Sequence, residues 1–467
     1  MPNTTRVLAA LAAGALACGT SNSSGTTPQD AGTSASGLHK LNHIVVIVLE
    51  NWSFDSLYAE APGVEGLAGA MKAPAQIDAT GAPYATLPQT ETHLPQTLPN
   101  APFALDPFLP LSDRSSTDLT NNFYEEQRQI HGGKMDQFVL FDAAGKGLTM
   151  GYYHTSGLPL AAEAQKYTLC DHFFHGVYGG SIQNHIFLVS AAVAQFPNAP
   201  ASIKRAVLDA NGVPVADANG KPQDGPLTPD GYVVGTLYPS AAPHPPETPA
   251  AQLVPPQTFA TIGDSLAAKN VDWAWYAGGW NAIQSAPTLN EAGTDPTTLF
   301  QYHHQPFVYF AAYAQGAPGR AHLQDEADFL AAAKGGALPA VSFVKPAGVD
   351  NEHPNYADVI TGEGHALDLI NAVRSGPNWA DTAIIVTYDE NGGFWDHVAP
   401  PSGDRWGPGT RVPTLILSPF AKQGFIDQTV YDASSILALI EHRFALTPLG
   451  TRDAAAADLT NAFDFGP

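Results

Sequence analysis

Lysine and arginine are scarce in this chain, 21 together against 44 aspartates and glutamates, for a formal net charge of −23 at pH 7. A field of that sign repels nucleic acid and anionic lipid surfaces, so neither is expected as a partner. If a phosphorylated ligand binds, its counter-charge must come from a metal, from histidines or from helix ends, and the shortage of basic residues favours the metal. Cysteine is scarcer still: Cys18 and Cys170 alone cannot build a disulfide framework, and there is no CxxC zinc pattern. Long apolar runs are missing as well. The run at 7–17, after Arg6, is too short to span a bilayer and reads as an export leader. It ends at Ala-Leu-Ala-Cys18, so residues 1–18 suit either a plain cleaved leader or a lipoprotein signal with Cys18 lipidated. Either way the mature protein is expected outside the cytoplasm.

Several enzyme classes are excluded by what does not occur. The GxSxG elbow is broken around Ser181, where Gln183 stands in the last position, and no Walker A loop or HExxH is present. The stretch Cys170-Asp171-His172-Phe173 does not resemble the CxPxR motif of sulfatases.

What is present supports a large folded unit. Hydrophobic residues make up 44% and charged ones only 14%, enough for a sizeable core. Residues 19–37 form a tether rich in Ser, Gly and Thr, and 38–467 read as one domain. Apolar runs at 43–51, 272–276, 340–344, 382–388 and 412–417 predict strands, the first buried on both faces. Helical patterns at 256–270, 365–375 and 435–445 alternate with them, which predicts an α/β fold layered around a mostly parallel sheet. Two Pro-, Gly- and Asp- or Thr-rich stretches, 52–115 and 196–255, read as insertions on the rim that shape a pocket mouth.

Ligand sites of parallel sheets form beyond the carboxyl ends of strands. The first predicted strand ends in Glu50-Asn51, and the one at 382–388 ends in Asp389-Glu390. Three carboxylates and an amide are thus delivered to one edge, a set that hard divalent cations favour. In Gly179-Gly180-Ser181, two glycines permit close backbone approach, and a helical run begins at 186 and extends to 194. Ser181 at a helix N-terminus suits a nucleophile facing an anion, with Asn184 one turn along, or a simple N-cap. His303, His304, His353 and His397 stand in polar contexts from which they could donate to a phosphoryl oxygen or protonate a leaving group.

Five blocks then carry a resemblance: HIVVIVLENWSFD (43–55), NNFYEEQRQIHGGKMDQFV (121–139), FFHGVYGGSIQNHIFL (173–188), IVTYDENGGFWDHVAPP (385–401) and RVPTLILSPFAKQGFID (411–427). In this order they resemble the bacterial phosphoesterase family of acid phosphatases and non-haemolytic phospholipases C, with the acid phosphatase branch closer. The resemblance implies an alkaline-phosphatase-like three-layer α/β/α sandwich. It implies one divalent metal (Ca, Mg, Mn or Fe) held by Glu50, Asn51, Ser181, Asp389 and Glu390, with Ser181 also the nucleophile. It further implies that Asn184, His304 and His353 line the phosphoryl pocket, with His303 close by, and it extends less closely to Asp396 and His397 in the WDHV segment. Asn121 stands where many members have histidine. The expected reaction is a two-step displacement through phosphoserine on a small phosphate ester, a phospholipid headgroup being the alternative substrate. An acid pH optimum is expected if a protonated histidine serves the leaving group.

Overall fold

The computed structural model describes residues 37–218, 221–284 and 288–466. The leader, Cys18 and nearly all of the tether lie outside the described residues. Among those described, no helix is long and apolar enough to cross a membrane.

The run IVVIVL after His43 is β-branched or leucine throughout, and it folds as β1 (His43–Leu49) with all six residues buried. Side chains of a strand alternate between faces, so complete burial means that both faces of the sheet are covered. A two-residue pair, β2 (Phe103–Ala104) and β3 (Gly151–Tyr152), stands apart. The main sheet adds β4 (Thr168–Phe174), β5 (Trp273–Ala277), β6 (Leu323–Asp325), β7 (Val341–Lys345), β8 (Thr382–Tyr388), β9 (Thr414–Leu417) and β10 (Phe425–Asp432). Its order is β10-β4-β9-β8-β1-β7-β5-β6. Every neighbouring pair is parallel except those of β9, which is antiparallel to both β4 and β8. β7 and β8 are also buried at every position. Helices Pro159–Lys166, Ile262–Ala268, Glu326–Gly335 and Ala433–Phe444 pack against the strands, completing the layered α/β architecture.

Differences from the sequence expectation have local causes. The run at 412–417 starts as a strand only at Thr414 and runs against its neighbours. β4 and β10 carry polar residues such as Asp171, His172 and Gln428 and show no apolar run. The helix expected at 256–270 is Ile262–Ala268, because the reciprocal capping of Thr261 and Asp264 sets its start. That expected from 365 begins at Val359, where the Asp358 carboxylate caps the Thr361 N–H.

The stretch 52–115 sends Trp52, Phe54, Leu57, Leu87 and Leu105 into the main core and lines a surface hollow through Tyr58, Glu60, Ala61 and Pro62. From the stretch 196–255, Val234, Gly235 and Thr236 line a cleft that also holds Ser181. β1 lies between β7 and β8, with Leu49 opposite Tyr388 and Ile47 opposite Val344. The chain segments that continue beyond Leu49, Val344 and Tyr388 therefore leave the sheet side by side.

Candidate active site

Three central strands end on polar residues at this edge. Glu50 and Asn51 come directly after β1, Asp389 and Glu390 directly after β8, and Lys345 is the last residue of β7. The fourth contributor comes from farther out: the chain leaves β4, turns through Gly179 and Gly180, and starts helix Ser181–Ser190 on Ser181. No side chain caps that helix at Gly180, so its N-terminal dipole faces the same edge undiluted. Ser181 Oγ comes to 3.4 Å from Glu390 Oε1. The same oxygen accepts from Asn51 Nδ2 at 3.0 Å and from Asn121 Nδ2 at 2.6 Å, while Gly392 N–H donates to Oε2 at 2.6 Å.

Glu50 is fully buried and heavily bonded. Its Oε2 accepts from Asn351 Nδ2 (2.7 Å) and Tyr356 OH (2.8 Å). Its Oε1 lies 2.7 Å from Lys345 Nζ and 3.2 Å from His304 Nε2. Burial alone would raise the Glu50 pKa, but Lys345 and then His304 overcome it and hold the carboxyl well below its usual range. Its neighbours behave oppositely. Asp389 is pushed up to about 7 by burial and then by Glu50, and Glu390 is pushed well up by burial and then by Asp389. Three buried carboxylates thus share one lysine, and two of them are held above the ordinary carboxylate range for want of positive charge.

The donors left over suit a divalent cation. Asn51 Oδ1 and Asp389 Oδ2 are buried without hydrogen-bond partners. Glu50, His185 and Asp389 each offer an atom within 4.8 Å of the others. His185 lies one helical turn after Ser181 and donates from Nδ1 to the Ser181 carbonyl at 2.8 Å. Its Nε2 therefore presents a lone pair, buried and unpartnered. Burial and then Lys345 push this imidazole down to about 3, so it is neutral at any working pH. Oxygen donors with one imidazole fit Mg, Mn, Zn or Fe at least as well as Ca.

The histidines separate by position. His303 and His353 line the cleft of about 350 Å³ above Ser181, together with Asn121, Asp118 and Tyr356. His304 does not line it. Its Nδ1 accepts from the Gln301 N–H (3.4 Å), which puts the ring proton on Nε2, facing Glu50. Burial lowers His304 against the opposing pull of Glu50, and burial and then His304 hold His303 well below its ordinary value, so neither is a ready proton donor. A leaving-group role for His304 does not fit this placement. His353 stacks on Tyr356 at 4.1 Å, with Nε2 4.0 Å from Asp118. The loop carrying it is tied to the end of β8 by Tyr388 OH, which donates to Glu352 Oε2 at 2.6 Å.

Asn184 is not in the cleft either. Its Nδ2 donates to the carbonyls of Val177, Gly179 and Gly180, and its Oδ1 accepts from the Val177 N–H at 2.8 Å, so no polar atom is spare for a ligand. Asp396 and His397 lie apart as well, around the fully buried Arg411. That guanidinium bonds Asp396 Oδ1 (2.9 Å), Asp55 Oδ1 (3.1 Å) and Asp171 Oδ1 (3.2 Å), and His397 Nδ1 meets Asp55 Oδ2 at 2.6 Å. Asp55, Asp396 and His397 have metal-ligand spacing, but arginine already supplies the cation there. Arg411→Met should cost about 3–5 kcal/mol of stability, because three buried carboxylates lose their partner. Urea unfolding checks this, and a loss under about 1 kcal/mol would show that the network is not a structural anchor.

Sequence reasoning missed Lys345, His185, Asn351, Tyr356 and Asp118. Two had a readable signal. Lys345 ends the apolar run VSFVK at a carboxyl edge, and His185 stands four residues after Ser181 on one helix face. Asn351, Tyr356 and Asp118 come from irregular segments, which carry no periodicity.

A model of the Phosphoesterase family matches residues 41–447. The non-hemolytic phospholipase C of Burkholderia pseudomallei (strain K96243) is 26% identical over 484 residues, covering 92% of this chain and 59% of that protein. Phospholipase C A of Mycobacterium tuberculosis (strain ATCC 25618 / H37Rv) is 26% identical over 476 residues, covering 93% of this chain and 79% of that protein. The chain thus spans under two thirds of the length of the Burkholderia relative. Among solved structures, a protein of the alkaline phosphatase superfamily from Vibrio parahaemolyticus aligns with a TM-score of 0.32 and 12% identity, over 72% of this chain and 70% of that one. That likeness is too slight to carry a functional argument.

Proposed function

Because the chain belongs to the Phosphoesterase family, we propose that it is a metal-dependent phosphoric ester hydrolase acting on small phosphate monoesters through a phosphoserine on Ser181. The observation that carries this reading is the meeting of the Ser181 hydroxyl, at an uncapped helix N-terminus, with three buried carboxylates short of positive charge. Glu50, Asn51, Ser181, Asp389 and Glu390 would hold the cation, with His185 Nε2 as a further donor. When bound, a divalent cation supplies Lewis acidity toward the serine hydroxyl and the phosphoryl oxygens.

The chain's own groups do the rest. Ser181 Oγ passes its proton to the Glu390 carboxylate 3.4 Å away and attacks phosphorus in line with the departing alcohol, and the phosphoryl oxygens rest on the helix N-terminus. Asn121 and His303, lining the cleft beside Ser181, are the groups within reach to donate to those oxygens. His353 is the cleft histidine left to protonate the leaving alcohol, with Asp118 to orient it. Water then attacks the phosphoserine, and the same groups act in reverse.

Monoester preference rests on the polarity of the mouth. Asp118, Asn121, Gln183, Gln301 and Asn355 line it, against few apolar residues. A second reading, a diesterase cleaving phospholipid headgroups, is favoured by the names of the relatives. Hydrolysis of an aryl monophosphate, the matching bis-aryl diester and a phosphatidylcholine vesicle separates the two. The monoester should lead in kcat/KM by about tenfold or more, equivalent to about 1.4 kcal/mol. A lead for the diester or the vesicle selects the second reading.

A further inference from the structure

The Ser181 hydroxyl is delivered by a turn, residues 177–180, that has no regular secondary structure of its own. Something else must hold it, since a misplacement of about 1 Å at a reacting atom costs on the order of 10²-fold in rate. Two buried side chains grip its backbone. From one side the Asn184 amide accepts from the Val177 N–H and donates to three carbonyls, those of Val177 (2.8 Å), Gly179 (2.8 Å) and Gly180 (3.1 Å). From the other, the Glu126 carboxylate accepts the Gly179 N–H at 2.5 Å. Glu126 also accepts from Thr410, through its N–H (3.0 Å) and hydroxyl (3.2 Å).

Between the two grips stands His175. Its Nε2 is 2.8 Å from Glu126 Oε1, and its Nδ1 is 3.4 Å from Asn184 Oδ1. Both partners are acceptors: a carboxylate oxygen and an amide oxygen whose own NH₂ is committed to carbonyls. Both ring nitrogens must therefore carry protons, so the geometry calls for an imidazolium. Glu126 and His175 are each 1% exposed. The space allows no substitute, because a Cβ on Gly409 would lie 2.2 Å from His175 Nε2 and 2.7 Å from Glu126 Oε1. Gly179, at φ +82°, is held so close to the Phe123 backbone that a Cβ there would lie 2.4 Å from the Phe123 nitrogen.

We infer that Glu126 and His175 form a buried ion pair that, through Asn184, latches the turn carrying Ser181, making Glu126 a positioning residue for the nucleophile. Electrostatics agree with the geometry. Burial opposes charge on both groups, yet their mutual attraction leaves Glu126 below and His175 above its ordinary value. Besides Glu126 and Asn184, the charged group felt by His175 is Asp389, at the end of β8. The inference rests on the reading of Ser181 as nucleophile and adds how that hydroxyl is aimed.

The test compares wild type with Glu126→Gln, which keeps shape and removes charge. In ¹⁵N-histidine spectra at pH 7.5 or so (about one unit above the ordinary His value), the resonances lost in His175→Gln identify His175. It should carry protons on both nitrogens in wild type and on one in Glu126→Gln. Turnover should fall on the order of 10²-fold, with KM and bound metal per chain unchanged. A neutral His175 in wild type, an undiminished kcat, or a loss of kcat that merely tracks a loss of metal would each overturn the latch. If Glu126→Gln fails to fold, Gly409→Ala displaces the pair sterically without touching its charge, and it should give the same kcat-only loss. Ser181→Ala assayed alongside separates the two readings. Full activity there removes the nucleophile itself, whereas an inactive Ser181→Ala beside a fully active Glu126→Gln removes only the latch.

Discussion

Ser181→Ala should abolish turnover, by on the order of 10⁴-fold or more, while leaving the fold and the metal content close to wild type. The size reflects the kind of role. A nucleophile forms the bond that the reaction needs, and no other hydroxyl is placed at that helix N-terminus beside Glu390 among the described residues. Stability should hardly change, because Ser181 caps no N–H of its helix and its hydroxyl meets only the carboxylates of the site, Glu390 at 3.4 Å and Asp389. Steady-state assay with an aryl monophosphate, circular dichroism and elemental analysis together decide the matter. Mass spectrometry of acid-quenched wild type should also show a phosphoryl group on the peptide containing Ser181. Retained activity, or a phosphoryl group found elsewhere, ends the mechanism.

Removing the divalent ion should be as damaging to activity, and its effect on stability should depend on pH with a definite sign. Without a cation, Asp389 keeps its carboxyl at about 7 in the fold, against about 3.9 when unfolded. A carboxyl raised in this way contributes stability that is whole below about pH 4 and is lost as pH rises through about 7. Glu390 is shifted in the same direction. In the chelated protein these two carboxyls therefore withdraw stability between about pH 4 and about pH 7, while the lowered His185 works in the opposite direction up to about 6.5. A bound cation takes the place of those protons, so the stabilisation it confers should grow across the same interval. At a hundred times its Kd a metal adds about 2.7 kcal/mol. With metal concentration held fixed, the rise in Tm should be clearly larger at about pH 8 than at about pH 5, on either side of the Asp389 transition. An equal rise at both would mean that the ion binds away from Asp389 and Glu390.

Part of this site was legible because strand ends are legible. HIVVIVLEN and TAIIVTYDE stop being apolar at their acidic residues, and in a parallel sheet that stop marks the functional edge. Roles were less legible than positions. His304 and Asn184 both stand near Ser181, yet one is spent on Glu50 and the other on the turn backbone. Which way a side chain faces depends on partners far along the chain, such as Glu126 bonding the Gly179 N–H and Thr410 at once.

The amino-acid order alone determined the layered α/β class, the two acidic strand ends and the serine after two glycines, because hydrophobic period and backbone freedom are local properties. Only the tertiary structure decided that Lys345 sits against Glu50, that His185 rather than His304 has a free lone pair, and that Arg411 neutralises Asp55 and Asp396. Burial is the reason. A charge removed from water must find its counter-charge across the fold, and neither its distance nor its direction is written in the neighbouring residues.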